Sequence, residues 1–333
     1  MSLTLSVLDQ SPIAEGSSPE DALKETIELA QRVEALGYHR FWVSEHHDTN
    51  SLAGSSPEIL VAYLAAKTTS IRLGSGGVML PHYSAYKVAE NFKVLEALAP
   101  NRIDLGIGRA PGGMPRATIA LHDGKTRDIK RYPKQVEELL QYLYDSIPEN
   151  DPLYGLKATP LITTTPDVWL LGSSESTASL AASKGLPYSF AQFINGENGP
   201  NYMQLYRDNF TPSQYLTKPK SMISVFVICA TTDKKAEEIA SSLDLALVML
   251  EQGMPMNGFP NPTKASQYPF ASFEKKRVLE NRKRLVVGSP AKVKDTLLQL
   301  SEVYAVDEIM VVTTTFDYQD KLSSFELLAK TML

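Results

Sequence analysis

Short apolar runs recur along the chain between longer stretches of mixed character. They cover Leu3 to Leu8, Phe41 to Val43, Ile71 to Leu80, Ile103 to Ile107, Val168 to Leu171, Tyr188 to Phe190, Ile223 to Cys229 and Ile309 to Val312. Within each run β-branched and large aliphatic residues follow one another with little alternation, which is how strands covered on both faces of a parallel sheet read. The stretches between them carry helical spacing. Leu23, Ile27, Ala30, Val33 and Leu36 mark one face of a helix that Gly37 ends, and Val136, Leu139, Leu140 and Leu143 mark another. Val293, Thr296, Leu297, Leu300 and Tyr304 follow Gly288-Ser289-Pro290, where Pro290 suits a first helical position. Strand and helix alternating over the whole length imply βα units with right-handed crossovers. Eight such units predict an α/β fold, a (β/α)8 TIM barrel. An open doubly wound sheet is the other topology this order permits.

The gaps between runs are uneven. The one between Cys229 and Ile309 contains Gly253-Met-Pro-Met-Asn-Gly-Phe-Pro-Asn-Pro262, which reads as irregular. Residues 251–285 are therefore expected to form an insertion after strand seven, a lid or binding loop on one domain spanning 1–333. A net charge of −5, from 33 basic and 38 acidic residues, supplies no field for a polyphosphate backbone, so nucleic acid is not an expected partner. The start MSLTLSVLDQSPIAEG has neither a basic segment nor a small-residue cleavage site. No apolar stretch approaches a membrane span, and a cytoplasmic location with no membrane partner is expected. The single cysteine, Cys229, lies in an apolar run and reads as a small core residue.

Several familiar signatures fail. Gly74-Ser-Gly76-Gly and Gly106-Ile-Gly108 begin like dinucleotide fingerprints without the third glycine, and Gly124-Lys125-Thr126 lacks the first glycine of a phosphate loop. HExxH, paired CxxC and GxSxG are absent. What remains follows the proposed strands, where a barrel places its active site. After strand two comes Ser44-Glu45-His46-His47-Asp48. This cluster could ligate a metal, supply a general base or be a solvated strand end. Neighbours on an extended chain point opposite ways, so one of the two imidazoles should face the barrel mouth. After strand three comes Gly74-Ser-Gly76-Gly77, which could be a bulge or a wall for a flat ligand. After strand four, Arg109 stands among glycines and could bind phosphate or form a surface ion pair. After strand five, Ser173, Ser174, Ser176 and Thr177 could cap a helix or, with its free amides, form an anion site. Together these residues describe a flat ligand carrying one phosphate.

In order along the chain, the motifs resemble the bacterial-luciferase-like flavin monooxygenase family. The resemblance rests on Leu5-Ser-Val-Leu-Asp-Gln-Ser-Pro12, Phe41-Trp-Val-Ser-Glu-His-His47, Arg72-Leu-Gly-Ser-Gly-Gly-Val-Met-Leu-Pro81 and Val88-Ala-Glu-Asn91. It continues through Pro100-Asn-Arg-Ile-Asp-Leu-Gly-Ile-Gly-Arg-Ala-Pro-Gly112, Trp169-Leu-Leu-Gly-Ser-Ser174 and Asp307-Glu-Ile-Met-Val-Val312. It implies a luciferase-like barrel binding reduced FMN, or in a sister branch the deazaflavin F420, at the C-terminal strand ends. It further implies His46 as the catalytic histidine, a non-proline cis peptide joining Gly76 and Gly77 under the flavin, and phosphate contacts from Arg109, Ser174 and Thr177. A phosphate site after strand five departs from the usual barrel position after strands seven and eight. Relatives carry Ala-Ser-His-Phe after strand six, where this chain has Ala191-Gln192-Phe193.

The implied activity is oxidation of a small organic substrate by reduced FMN and O2 through a C4a-peroxyflavin, with His46 as acid or base and the 251–285 insertion closing over the site. A separate NAD(P)H:flavin reductase is the implied partner because no Rossmann motif is present, a homodimer is the implied assembly, and no metal is expected. Hydride transfer with F420 or flavin on the same fold, and non-catalytic flavin binding, are the competing functions.

Overall fold

The computed structural model describes residues 3–125 and 128–333. Met1 and Ser2 of the N-terminal segment and Thr126 of the Gly124-Lys125-Thr126 tripeptide lie outside the described residues. The chain order is β1 (Thr4–Asp9), α1 (Pro19–Ala35), β2 (Arg40–Val43), α2 (Pro57–Lys67), β3 (Arg72–Met79), α3 (Ala85–Leu98), β4 (Ile103–Gly108), α4 (Pro115–Leu121), α5 (Tyr132–Leu143), β5 (Asp167–Gly172) and α6 (Glu175–Lys184). It continues with β6 (Tyr188–Ala191), α7 (Gly199–Asp208), β7 (Ser221–Cys229), α8 (Asp233–Glu251), α9 (Pro262–Gln267), α10 (Ser272–Arg282), β8 (Leu285–Gly288), α11 (Pro290–Tyr304), β9 (Glu308–Val312) and α12 (Tyr318–Met332). All strand pairs are parallel. β1 to β7 and β9 close into a barrel through the β6–β7, β7–β9 and β9–β1 pairs.

The three periodic segments are α1, α5 and α11. Ser18 accepts a hydrogen bond from the Asp21 amide at the start of α1, Pro19 takes its first turn, and Gly37 at φ +89° follows its end. Pro290 opens α11 as the pattern predicts.

Two features differ from the sequence expectation. Val286 and Val287 belong to a further strand, β8, which pairs with residues 226–229 of β7 outside the closed ring. The 251–285 insertion is irregular only as far as Asn261, and then folds into α9 and α10. It is bound at both of its ends. The Phe259 amide donates to the Ile13 carbonyl at 2.6 Å and the Glu15 amide to the Phe259 carbonyl at 2.9 Å, while Arg282 binds Asp244 of α8 through two bonds of 2.7 and 2.8 Å.

Alternation along each strand decides what fills the barrel. Phe41 and Val43 face the helices. Arg40 and Trp42 point inward, with Ser6, Asp104, Trp169, Glu308 and Met310 from neighbouring strands. At the N-terminal end Arg40 donates to Asp104 at 2.7 Å and to Glu308 at 2.6 and 3.2 Å. Arg72 and the Trp42 indole also donate to Asp104, and Ser6 to Glu308. Burial alone would raise the Asp104 pKa, but the Arg40 and Arg72 guanidiniums outweigh it and hold the carboxyl below its usual value. Arg40 also lies 5.0 Å from the Trp169 ring centre, and the two indoles meet edge to face at 5.8 Å.

The glycine cluster placed after strand three lies within β3. A Cβ on Gly74 would lie 2.8 Å from the Trp42 indole nitrogen, and one on Gly76 2.6 Å from Leu8. These two glycines make room for the barrel core. Gly77 is the extra residue of a bulge, with Gly76 opposite Gly106 and Val78 opposite Ile107.

Arg40→Met would leave Glu308 without its guanidinium and Asp104 with only one, an imbalance worth about 3–5 kcal/mol. A large fall in the urea midpoint is expected, partly recovered on adding Glu308→Gln. Equal losses in the single and double variants would show that the arginine does not neutralise Glu308.

Candidate active site

The mouth is built by loops that follow the C-terminal strand ends, and the string 44–48 shows how one sequence serves two faces. Ser44 and His46 continue the inward parity of Arg40 and Trp42. Glu45 and His47 take the other side. The Ser44 hydroxyl and His46 Nδ1 lie 3.0 Å apart. Burial, and secondarily the neighbouring His47, pull the His46 pKa down to about 4, so the ring is neutral at pH 7.

On the other side Glu45, fully buried, gathers three partners. Oε1 lies 2.7 Å from His47 Nε2 and accepts from the Tyr83 hydroxyl at 2.8 Å, and Oε2 accepts from the Met79 amide at 2.9 Å. Burial and the nearby Glu45 carboxylate push the Tyr83 phenol well above its usual range. Pairing each acceptor with a donor makes this buried carboxylate a joint between β2 and the segment after β3.

That segment carries His82. Its Nε2 lies 2.8 Å from the Pro111 carbonyl and its Nδ1 3.0 Å from His122 Nε2. The loop after β4 is held beside it. The His47 amide donates to the Gly112 carbonyl at 2.8 Å, Gly112 has φ +65°, and a Cβ on Gly113 would lie 2.5 Å from the His47 carbonyl oxygen. Arg116, in α4, reaches back to Asp48 with a two-bond ion pair.

The remaining candidates occupy adjacent strand ends. The Gly76-Gly77 peptide is cis. Arg109 is exposed directly after β4. Ser173 and Ser174 follow β5, and Ser174 stands at the N-cap of α6 yet makes no side-chain capping bond. Its hydroxyl instead lies 3.0 Å from Ser176 Oγ and 3.3 Å from Thr177 Oγ1. A guanidinium, several hydroxyls and the positive end of a ten-residue helix make a donor set suited to a phosphate monoester. In this respect the residues fit a flavin mononucleotide. Among the described residues there is no group of three or more His, Cys, Asp or Glu that could hold a metal ion, and no helix long and apolar enough to cross a membrane. Cys229 is buried, and burial raises its thiol to about 11.

Glu45, Tyr83, His82 and His122 act through contacts between separate loops, which no local motif marks. A usable signal was present, since the chain has only 5 histidines and four of them gather at this end of the barrel.

The depressed His46 pKa carries a stability consequence. Between about pH 6.5 and 4 the unfolded chain takes up a proton that the folded protein refuses, so stability falls as pH drops through that window. The loss amounts to about 3 kcal/mol at most. His46→Asn should flatten the urea midpoint against pH there, whereas an unchanged slope would show that the ring protonates without cost.

The family model described as luciferase-like monooxygenase matches residues 2–307. The Bacillus subtilis protein YwcH, itself uncharacterized, is 53% identical over 98% of both chains, and an Escherichia coli luciferase-like monooxygenase is 39% identical over 98% of this chain and 96% of its own. The crystal structure of apo-MsnO8 superposes with a TM-score of 0.90 at 38% identity, covering 99% of this chain and 98% of the other. The chain therefore belongs to the luciferase-like monooxygenase family.

Proposed function

We propose that this protein is a flavin-dependent monooxygenase that uses reduced FMN and O2 to oxidise a small organic substrate. The observation that carries the reading is the placement, at adjacent strand ends of one barrel mouth, of a neutral half-buried imidazole, a backbone wall of glycines on β3 and β4, and a phosphate-type donor set after β4 and β5. Arg109, Ser173, Ser174 and Thr177 hold the phosphate. Gly76 and Gly77 present main chain to the flat ring. His46, uncharged at neutral pH, takes up a proton from the reacting group and is oriented for this by Ser44. The loops stitched across the mouth exclude water. Bound reduced FMN supplies the two electrons with which one oxygen atom enters the substrate and the other leaves as water. A separate NAD(P)H:flavin reductase and a second copy of this chain complete the proposed system.

Two measurements test this. Arg109→Ala should weaken FMN binding at least about tenfold while riboflavin, which lacks the phosphate, binds within about twofold of the parent. Equal effects on both would remove Arg109 from the phosphate site. With reductase-fed FMN and a panel of organic sulfides, ketones and aldehydes, at least one compound should raise oxygen uptake above the uncoupled rate. His46→Ala should then lower turnover by about two orders of magnitude or more with little change in FMN affinity. Oxygen uptake indifferent to every compound, combined with hydride transfer from reduced F420, would replace this reading.

A further inference from the structure

We infer that His82 is a positioning residue for the phosphate-gripping loop, and that His122 fixes the hydrogen placement that lets it act. The inference rests on the proposal that Arg109 binds the cofactor phosphate. A carbonyl oxygen only accepts, so His82 Nε2, 2.8 Å from the Pro111 oxygen, carries the hydrogen. In the neutral ring Nδ1 is then an acceptor, and the atom facing it at 3.0 Å, His122 Nε2, is the donor.

The aim of the ring is set from both sides. His82 ends the short 3-10 turn Leu80–His82, is 7% exposed, and lies between Met79 and Tyr83, both of which donate to Glu45. One carboxylate therefore fixes the backbone before the histidine and the side chain after it. The result is that two consecutive carbonyls of the loop after β4 accept bonds from histidines. Pro111 accepts from the His82 ring and Gly112 from the His47 amide. Arg109 stands between these anchors and Gly108, the last residue of β4. The main chain that carries Arg109 is thus held on both sides, so less backbone freedom is lost when the guanidinium meets an anion. Releasing the Pro111 carbonyl removes the anchor nearest to Arg109 and leaves Gly112 as the first fixed point beyond it, which lengthens the segment free to move.

The test compares affinities for FMN and riboflavin by flavin fluorescence. In the parent protein FMN should bind more tightly than riboflavin. His82→Ala should lose at least about five- to tenfold of that preference with riboflavin affinity within about twofold, and His82→Gln, whose amide can donate near the Nε2 position, should restore most of it. His122→Ala should give a smaller loss in the same direction. Riboflavin serves as the internal control for folding, since general damage to the barrel mouth weakens both ligands alike. The inference is overturned if His82→Ala keeps the parental FMN preference, or if His82→Gln fails to restore it while still binding riboflavin normally. Arg109→Ala separates the two levels. If it abolishes the phosphate preference and His82→Ala does not, the positioning role fails and the phosphate site stands. If neither changes it, the phosphate site itself is misplaced.

Discussion

Two carboxylates, Asp104 and Glu308, are buried at the N-terminal end of the barrel, and the strands close around Arg40, which together with Arg72 balances them. Such charges are tolerated only when paired and fully hydrogen-bonded. Arg40 meets the requirement by bridging β4 and β9 from β2, with Arg72, Trp42 and Ser6 filling the remaining positions. The geometry fixes the inward parity of β2. Once Arg40 faces inward Trp42 must follow, and a one-residue slip of β2 would turn both out and change how the loop carrying Ser44 and His46 leaves the strand.

The same alternation gives the opposite end its second network. Glu45 and His47 cannot share a face with His46, and they are used to tie loops together instead. The barrel is thus sealed by charge at one end and stitched by hydrogen bonds at the other. Main-chain contacts run from the insertion to the loop after β1, from there to the loop after β2, and on to the loop after β4. The loops inherit their placement from the strands that lead into them.

The eight barrel strands were legible because burial on both faces writes itself into local composition. β8 was not, since Leu285, Val286 and Val287 directly follow a polar helix and fell at the end of the stretch read as an insertion. That helix, α10, escaped notice for a related reason. Of its residues only Glu274 and Asn281 are buried, so no apolar stripe marks it, and its start is set by Glu274 accepting from the Ala271 amide. The glycines of β3 were visible but the room they make was not, because the groups beside them, Asp104 and Trp42 at Gly74 and Leu8 at Gly76, come from other strands. His46, Arg109 and the hydroxyls after β5 stood out through their neighbours in sequence. His82 did not, as its partners lie 29 and 40 residues away.

The two indoles at the barrel floor have an optical consequence. The chain contains only 2 tryptophans, Trp42 and Trp169, and both are fully buried in contact with each other and near the same guanidinium. All tryptophan emission therefore originates from one place, beneath the mouth and remote from solvent. It is blind to movements of the outer helices and responds to two events, the opening of the barrel and the arrival of a chromophore above it. The fold carries its own spectroscopic probe beneath the mouth at which a flavin is proposed to bind.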